Sequence, residues 1–455
     1  MNTRKIHRTM PPAAGPFPRI DSGTSETVVL SNGLRVFLVH EHRPAVTLRF
    51  MSYGGEIIDG RRPGAADAHA YLMTRGTLDR PSGDFAEAVE YLGAGIEVDA
   101  GADSITMEVN ALRRHVDSVL SLAFEALQRP AFDQHELEQY VGEQIAGLDV
   151  MRARPDWLAG QAVRRIAFGS SAYGALVDAA SLRALTTECI RGRHNRVVVP
   201  LNTTLAVVGA FTLNELVEVL ERHLAGWQGG GALERVGSTI SEADGPRIIA
   251  INRPGSVQST IRVVGRGPMF SDPDRTPAAI ANSILGGGIG LGNRLSMNLR
   301  ETHGWTYSPR SYFRSFLFGG YFVAEADVSN DATIPAIREI QREIGRMCDE
   351  AVETDELERN IRSAVGAFLI SSANPRRRAE RIQTIDFFGL PQDYYDHLVR
   401  EYEQTTADDV MRVSRRFLGP ETTRIAVVGD LNAIGDNLAS LGQIDEWSAE
   451  LLSAT

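Results

Sequence analysis

The sequence predicts an α+β fold of two tandem homologous domains, each with a mostly antiparallel sheet covered by helices. Two observations predict it: short motifs recur at one constant distance, and both halves show the same succession of strand and helix patterns. Three motifs recur 220 residues further along the chain, in the same order. Each match alone would be noise, but three in one register indicate a duplicated domain. The matches are Glu136-Leu137-Glu138 with Glu356-Leu357-Glu358, Phe168-Gly169 with Phe388-Gly389, and 206-AVVG-209 with 426-AVVG-429.

The chain length supports the same division. At 455 residues the chain is too long for a single core of ordinary size. We expect an N-terminal domain over residues 20–230 and a C-terminal domain over residues 247–450. The stretch between them, 231–246, is rich in glycine, serine and charged residues, which is typical of a linker.

Strands and helices are predicted at matching places in the two halves. The apolar runs 203–211 and 423–431 are typical of buried strands that end at a glycine and lead into a helix. Helical regions precede them, with apolar residues spaced three and four apart. One such stripe is Val116, Val119, Leu120, Ala123 and Leu127. Each half also opens with two apolar runs that we expect to pair: 34-LRVFLVH-40 with 46-VTLRFMS-52, and 247-RIIAINR-253 with 258-QSTIRVVG-265.

Composition excludes several classes of partner. The formal net charge is −11, so a nucleic-acid partner is not expected, because binding to phosphates needs a clustered basic face. No window approaches the apolar span of about 20 residues that crosses a bilayer. The N-terminal stretch is not an intact secretory signal. A cytoplasmic location is therefore expected, or a periplasmic one if a signal peptide has been removed. Cys189 and Cys348, the two cysteines, form no disulfide framework and no metal knuckle.

A glycine-rich loop stands out in the second half. Five of the seven residues from Gly286 to Gly292 are glycine. A nucleotide-binding loop of the Walker type would end in Gly-Lys-Ser or Gly-Lys-Thr, whereas Gly292-Asn293-Arg294 stands here. A hinge that lets another stretch of backbone come close is the favoured interpretation.

The residues that follow this loop carry a resemblance to a known family. The segment 284-ILGGGIGLGNRLSMNL-299 with 300-RETHGWTYSP-309 resembles the C-terminal homologous domain of the M16 (insulinase/pitrilysin-type) metallopeptidases. The likeness extends to 32–46, 82–101, 129–139 and the internal repeat, and so covers most of the chain. The resemblance implies two M16-type domains in tandem.

The resemblance also implies where a zinc site would lie. Catalytic members carry His-x-x-Glu-His on a helix of the first half, where two imidazoles bind zinc and the glutamate activates water. The matching positions here, on the helix predicted within 63–80, are Asp67, Ala70 and Tyr71. A glutamate on a later helix is the third ligand in the family, and Glu143 or Gln144 stands near that place. Such a set is a poor zinc site, so no metal is expected in this chain.

Two further predictions concern histidines in the first half of the chain. His69 is shifted by two residues from the first motif position, so it is expected to point to another face of the helix. His40 and His42 lie at a strand end and are expected to be solvated rather than to bind a metal. The remaining histidines, including His194, show no ligand spacing.

Arg300 and Tyr307 match residues that the resemblance implicates in substrate binding. In M16 enzymes the matching arginine and tyrosine face the zinc site across a chamber. A guanidinium offers fixed donors to peptide carbonyls, and a phenol can donate to a developing oxyanion. From the residues alone, substrate contact and a structural role are equally favoured. In the structural role, Arg300 pairs with Glu301 and Tyr307 packs in the core. The resemblance favours substrate contact by Arg300, Tyr307 and the glycines Gly286, Gly287 and Gly288.

The resemblance implies a function that needs a second chain. Some bacterial M16 peptidases are heterodimers in which one chain keeps the zinc motif and the other supplies the Arg/Tyr pair and the glycine-rich loop. This chain is expected to be the second kind, inactive alone, with zinc in its partner and a peptide as substrate. Two alternatives remain: a structural M16-derived scaffold, and an autonomous metallopeptidase with a divergent site of Asp67, His69 and Glu143. A peptide-binding homodimer is a further option.

Overall fold

Two six-stranded sheets and their helices form the described part of the chain. The computed structural model describes residues 15–16, 25–224, 226–235, 237, 247–288, 292–449 and 452. The predicted domain start at residue 20 and most of the predicted linker, 238–246, lie outside these ranges. Within them, no helix is long and apolar enough to cross a bilayer.

The first sheet is mostly antiparallel, as predicted. Its strand order is β1-β2-β6-β3-β5-β4, and only the β2–β6 pair is parallel. β6 contains the first AVVG motif and is buried along its whole length. The strands are β1 (Ser25–Val29), β2 (Arg35–His40), β3 (Ala45–Tyr53), β4 (Gly95–Ala100), β5 (Ser104–Leu112) and β6 (Thr203–Gly209).

The second sheet repeats this topology in five of its six strands and differs at one edge. Its order is β12-β7-β11-β8-β10-β9, with β11, which contains the second AVVG motif, in the place of β6. Here β7 is parallel to both β11 and β12, and the other pairs are antiparallel. The strands are β7 (Ile248–Asn252), β8 (Gln258–Arg266), β9 (Arg310–Ser315), β10 (Gly320–Ser329), β11 (Arg424–Gly429) and β12 (Ile444–Glu446).

The predicted pairing of the two opening strands in each half is wrong. β6 lies between β2 and β3, and β11 lies between β7 and β8. The short connection between β2 and β3 favours a hairpin locally. A late, fully apolar strand displaces that pairing because it gains hydrogen bonds on both sides while it buries both of its faces.

Fifteen α-helices surround the two sheets in the described residues. They are α1 (Ala65–Leu72), α2 (Ser82–Tyr91), α3 (Val116–Gln128), α4 (Gln134–Arg152), α5 (Pro155–Phe168), α6 (Ala179–Arg183), α7 (Thr187–Val197), α8 (Leu213–Leu224), α9 (Arg275–Asn282), α10 (Thr333–Asp349), α11 (Thr354–Ser372), α12 (Pro375–Phe388), α13 (Tyr394–Gln404), α14 (Ala407–Leu418) and α15 (Leu431–Leu438). Two π-helical segments, Ser283–Gly287 and Ser296–Thr302, flank the glycine-rich loop. The predicted stripe on α3 is confirmed, since all five of its residues are buried.

The internal repeat is visible in the helices as well. α4 and α11 begin and end 220 residues apart, and so do α5 and α12. α5 and α12 each start with proline at the first turn, where a missing amide hydrogen is tolerated.

α5 and α12 each pack on the sheet of the other half of the chain. α5 packs on β8 and β11 of the second sheet, and α12 packs on β3 and β6 of the first. Ala159 of α5 and Ala426 of β11 belong to one buried apolar cluster, and the equivalent Ala379 of α12 and Ala206 of β6 belong to another. All four alanines are fully buried, and their small side chains let each helix approach the strand closely. Each half therefore covers a sheet face of the other, and each sheet has helices on both of its faces.

Candidate functional site

α1 forms the frame in which the resemblance places a zinc motif. Gly64, in the left-handed region at φ 90°, precedes its first residue, and Gly76 at φ 88° lies in the turn beyond its end. Alanines occupy most of its inner face, and Ala70 is buried. The helix packs against β4 and α7. Both glycines adopt a conformation that other residues rarely take, so the two ends of α1 depend on glycine at these positions.

Asp67 projects from α1 into a group of charged side chains. It reaches solvent, but protein surrounds it enough to raise the pKa of its carboxyl group to about 6. The nearby carboxylate of Glu56 raises this pKa further, whereas Arg164 and Arg193 lower it. Arg164 is itself ion-paired with Glu56. Asp67 therefore lies in a charged cluster whose two arginines are already engaged.

A buried ion pair fixes the loop before α1. Nη1 of Arg193, from α7, donates to Oδ1 of Asp59 at 2.6 Å, and both side chains are almost fully buried. Nη2 of Arg193 donates to the carbonyl oxygens of Gly54 and Gly55 at 2.6 and 2.7 Å. Oδ2 of Asp59 accepts from the amide of Ala66 at 3.3 Å, in the first turn of α1. One arginine thus joins α7, the loop and the start of α1.

Aromatic side chains occupy the space between α1 and α4. The rings of Tyr71 and Tyr140 lie 4.8 Å apart, and the guanidinium of Arg75 lies 4.3 Å from the centre of the Tyr71 ring. Burial raises the pKa of Tyr140, and the charge of Asp67 raises it further. Glu143 is exposed and accepts a hydrogen bond from Gln139 at 2.9 Å, and Gln144 is also exposed.

His69 forms a buried pair with His194 that the sequence did not reveal. Nε2 of His69 lies 3.0 Å from Nδ1 of His194, and Phe132 packs against both rings. Burial lowers the pKa of His69, and it lowers that of His194 to about 4. Both imidazoles are therefore neutral at pH 7 and belong to the core. The expected divergence of His69 from the face of Asp67 is consistent with this position.

The residues of this region do not fit a zinc ion. Zinc sites in proteins combine three or four cysteine, histidine or carboxylate ligands. Among the described residues, no group of three or more histidine, cysteine, aspartate or glutamate side chains could hold a metal. The sequence contains no His-x-x-Glu-His anywhere. Position 70 in particular carries a buried alanine, which can neither bind a metal nor accept a proton from water.

The histidine pair gives a testable dependence of stability on pH. The pKa of His194 is about 4 in the folded chain and about 6.5 when unfolded, so the unfolded chain binds more protons between these values. The free energy of unfolding should therefore fall by about 3 kcal/mol as the pH drops from 6.5 to 4. Urea unfolding at several pH values measures this. In the double variant His69→Leu/His194→Leu, the free energy of unfolding should no longer show this fall between pH 6.5 and 4.

An exposed histidine provides the control. His42→Leu should keep the slope of the original chain, since His42 is exposed. The comparison between variants is needed because the raised pKa values of Asp59 and Asp67 act in the opposite direction. A double leucine variant with an unchanged slope would contradict the assignment of this pH dependence to the pair.

Arg300 and Tyr307 meet at the surface of the second half. Arg300 lies in the π-helical segment Ser296–Thr302, and its guanidinium is 4.5 Å from the centre of the Tyr307 ring. Nη1 of Arg300 also donates to the carbonyl oxygen of Tyr307 at 3.3 Å, and Nε lies 3.2 Å from Glu301. The side chain of Tyr307 is 78% exposed, so it is not a core residue. The alternative that paired Arg300 with Glu301 describes one of its three contacts.

These two side chains line a recess of about 700 Å³ on the second sheet. Arg262 of β8, Arg310 of β9 and Glu325 of β10 also line it. Glu325 accepts from Nε of Arg262 at 3.0 Å and from Arg310. β9 is the edge strand of the sheet and begins three residues after Tyr307. The recess thus combines an exposed phenol, several guanidinium groups and a strand edge.

The first glycines of the glycine-rich loop have a packing role. A Cβ atom on Gly286 would lie 2.8 Å from the amide nitrogen of Ser311 in β9, and one on Gly287 would lie 1.9 Å from Nδ2 of Asn282. A Cβ on Gly288 would meet the carbonyl oxygen of Ser283 at 2.9 Å. The interpretation that these glycines allow close approach of backbone therefore agrees with the geometry. Residues 289–291 lie outside the described ranges.

A comparison with protein families identifies the relationship. Residues 184–364 match the family model described as the peptidase M16 inactive domain. This segment is therefore similar to the M16 peptidase family. An uncharacterized zinc protease of Streptomyces coelicolor is 22% identical to the chain over 426 residues, which cover 90% of each protein.

Two further similarities concern a peptidase subunit and a solved structure. The alpha subunit of the mitochondrial-processing peptidase of Caenorhabditis elegans is 22% identical over 406 residues, covering 79% of this chain and 75% of that protein. A crystal structure of a peptidase M16 inactive domain from Pseudomonas fluorescens matches with a TM-score of 0.82 and 23% identity. It covers 89% of this chain and 98% of its own. The structural match shows that the fold is shared over almost the whole chain.

Proposed function

We propose that this chain is the non-catalytic subunit of a heterodimeric zinc peptidase, and that it supplies Arg300 and Tyr307 to a zinc-bearing partner subunit. The match to the inactive domain of the M16 family supports this proposal. So does the similarity to an alpha subunit of a processing peptidase. The zinc ion and the water-activating glutamate belong to the partner, and the zinc motif has been lost from this chain.

One observation carries the proposal: the exposed Tyr307 ring with the Arg300 guanidinium stacked on it, at the edge of a large recess. A tyrosine with only a packing role would be buried. An arginine with only an ion-pairing role would not have to lie over the tyrosine ring. Tyr307 is therefore open to solvent beside Arg300, which supports a role of the pair in binding a ligand. The first half shows the opposite, because Ala70 is buried and the ring of Tyr71 packs against the ring of Tyr140.

The recess supports binding of a peptide in extended form. The guanidinium of Arg300 has donors for peptide carbonyl oxygens, and the hydroxyl group of Tyr307 can donate to an oxygen that becomes negative during hydrolysis. The edge of β9 can pair with an extended peptide, because edge strands present unpaired amide and carbonyl groups. Gly286 contributes by letting its helical segment lie close to β9, whereas Gly287 and Gly288 leave room for Asn282 and Ser283.

Two other functions compete with this one. A scaffold protein would share the fold but would not need the Arg300–Tyr307 pair for any activity. An autonomous metallopeptidase would need Asp67, His69 and Glu143 to gather around a metal, but His69 is buried against His194 and Glu143 is bonded to Gln139. The geometry therefore disfavours the second alternative more strongly than the first.

The proposal is tested by reconstitution with a zinc-bearing M16 chain of similar length. The two chains should form one complex that hydrolyses unfolded peptides, with zinc present only on the partner. A complex that forms but is no more active than the partner alone would support the scaffold function instead.

A further inference from the structure

A second recess, of about 390 Å³, lies beside the segment that carries Arg300. We call it the arginine recess, because Arg294, Arg342, Arg346 and Arg359 all line it. Glu343 and Glu356 are the carboxylates among its lining residues. Arg342 is ion-paired with Glu339, and Arg346 with Glu343 and Glu350. The charge that remains for an anionic ligand is therefore that of Arg359.

One guanidinium nitrogen in this recess has no partner. Arg294 is a buried side chain, only 9% exposed, and its Nε and Nη2 donate to the two carboxylate oxygens of Glu356 at 3.0 and 2.7 Å. Its Nη1 is buried and donates to no residue that the structure describes. A buried donor without an acceptor is costly, so the geometry calls for an acceptor from outside the chain.

An acceptor without a partner lies four residues further along. Nδ2 of Asn298 donates to Oε2 of Glu339 and to Oε1 of Glu343, both at 2.8 Å. Because carboxylates only accept, these two bonds fix the orientation of the amide group. Its Oδ1 is buried and accepts from no group in the described part of the chain. Asn298 also lines the recess, on the same helical segment as Arg294.

We propose that the arginine recess binds an α-carboxylate whose neighbouring carbon carries an N–H group. The carboxylate accepts from Nη1 of Arg294 and from the exposed guanidinium of Arg359, which forms no ion pair with any described residue. The N–H group donates to Oδ1 of Asn298. A fully ionised phosphate would offer only acceptors and would leave Oδ1 unsatisfied. The C-terminal residue of a peptide and a free amino acid share the required chemistry.

This assignment extends the proposed function. The chain from Arg300 to Tyr307 borders both recesses, since Thr302 and His303 line the arginine recess and Tyr307 lines the other. A peptide anchored by its free carboxyl end therefore has its preceding residues near Arg300. Only the choice of a peptide over a free amino acid rests on the proposed function.

Calorimetric titration of the purified chain, without any partner, tests the assignment. The probes are tetra-alanine as free acid, tetra-alanine with a C-terminal amide, free alanine, and inorganic phosphate. The free acid should bind at least about tenfold more tightly than the amide, since one charge-assisted hydrogen bond is lost. Alanine that binds better than the peptide would assign the site to free amino acids. Equal binding of acid and amide, stronger binding of phosphate, or no binding of any probe would overturn the assignment.

Variants locate the binding. Arg359→Ala removes an exposed side chain, and Arg294→Lys keeps a positive charge beside Glu356 but lacks the forked donors of arginine. Each should weaken binding of the free acid by about tenfold or more. Arg183→Ala, an exposed arginine of the first half, should leave it unchanged. Normal binding by both recess variants would contradict the assignment. The titration measures binding to the chain alone, whereas the Arg300 and Tyr307 variants test turnover by the complex. A failure of one proposal can therefore be told from a failure of the other.

Discussion

Replacing Arg300 by alanine together with Tyr307 by phenylalanine should reduce peptide turnover by the reconstituted pair by about 100-fold or more. Loss of a single hydrogen-bond donor to a developing oxyanion costs about 10²–10³ in rate, and this double variant also removes the guanidinium that orients the peptide. Both side chains reach solvent, so folding and assembly should persist. Turnover is measured with a fluorogenic peptide, and assembly by size-exclusion chromatography.

Single variants and a matched control sharpen this result. The guanidinium of Arg300 lies 4.5 Å from the Tyr307 ring, so the two single changes should not add independently. Arg183→Ala/Tyr91→Phe changes one exposed arginine and one exposed tyrosine of the first half, and it should leave turnover unchanged. A pair that contains the double variant and keeps its turnover would favour a scaffold function for this chain.

Replacing Arg193 by alanine should lower the free energy of unfolding by about 3–5 kcal/mol. The change leaves the Asp59 carboxylate buried without its partner and removes the donors to the carbonyl oxygens of Gly54 and Gly55. Burial already raises the pKa of Asp59 to about 6, and the charge of Arg193 is the stronger of the two effects that lower it, the other being the hydrogen bond from the amide of Ala66. The variant should therefore be least stable, relative to the original chain, above pH 6. Urea unfolding followed by circular dichroism measures the change.

A surface ion pair gives the comparison. Nη1 of Arg222 lies 3.1 Å from Asp117, but both side chains are more than half exposed. Exposed pairs contribute about 0–1 kcal/mol, so Arg222→Ala should have a small effect. If the two variants destabilise the chain equally, Arg193 does not hold the start of α1 as described.

The repeat could be predicted from the sequence because it depends on local patterns. The AVVG strands and the α3 stripe are apolar runs with a clear period, and the structure places them where that period requires. The pairing of β2 with β3 could not be predicted in the same way. The strand that separates them, β6, comes from more than 140 residues further along the chain, and local turn preferences contain no information about it.

The same distinction applies to the candidate site. The positions of Asp67, Ala70 and Tyr71 follow from motif spacing on one helix, and the proximity of Arg300 to Tyr307 follows from a separation of seven positions on one segment. The contacts of His69 with His194 and of Asp59 with Arg193 join residues more than 120 positions apart. Nothing in the spacing of those residues indicates the contacts, because they arise only when α7 packs against α1.

A peptidase assay on the purified chain alone decides whether hydrolysis belongs to this polypeptide or to its partner. The chain should not cut unfolded peptides above background, either after addition of zinc or after treatment with a chelator, and it should retain no stoichiometric metal. Cleavage by the chain alone that a chelator abolishes and zinc restores would contradict the assignment of Arg300 and Tyr307 to a subunit without its own catalytic centre.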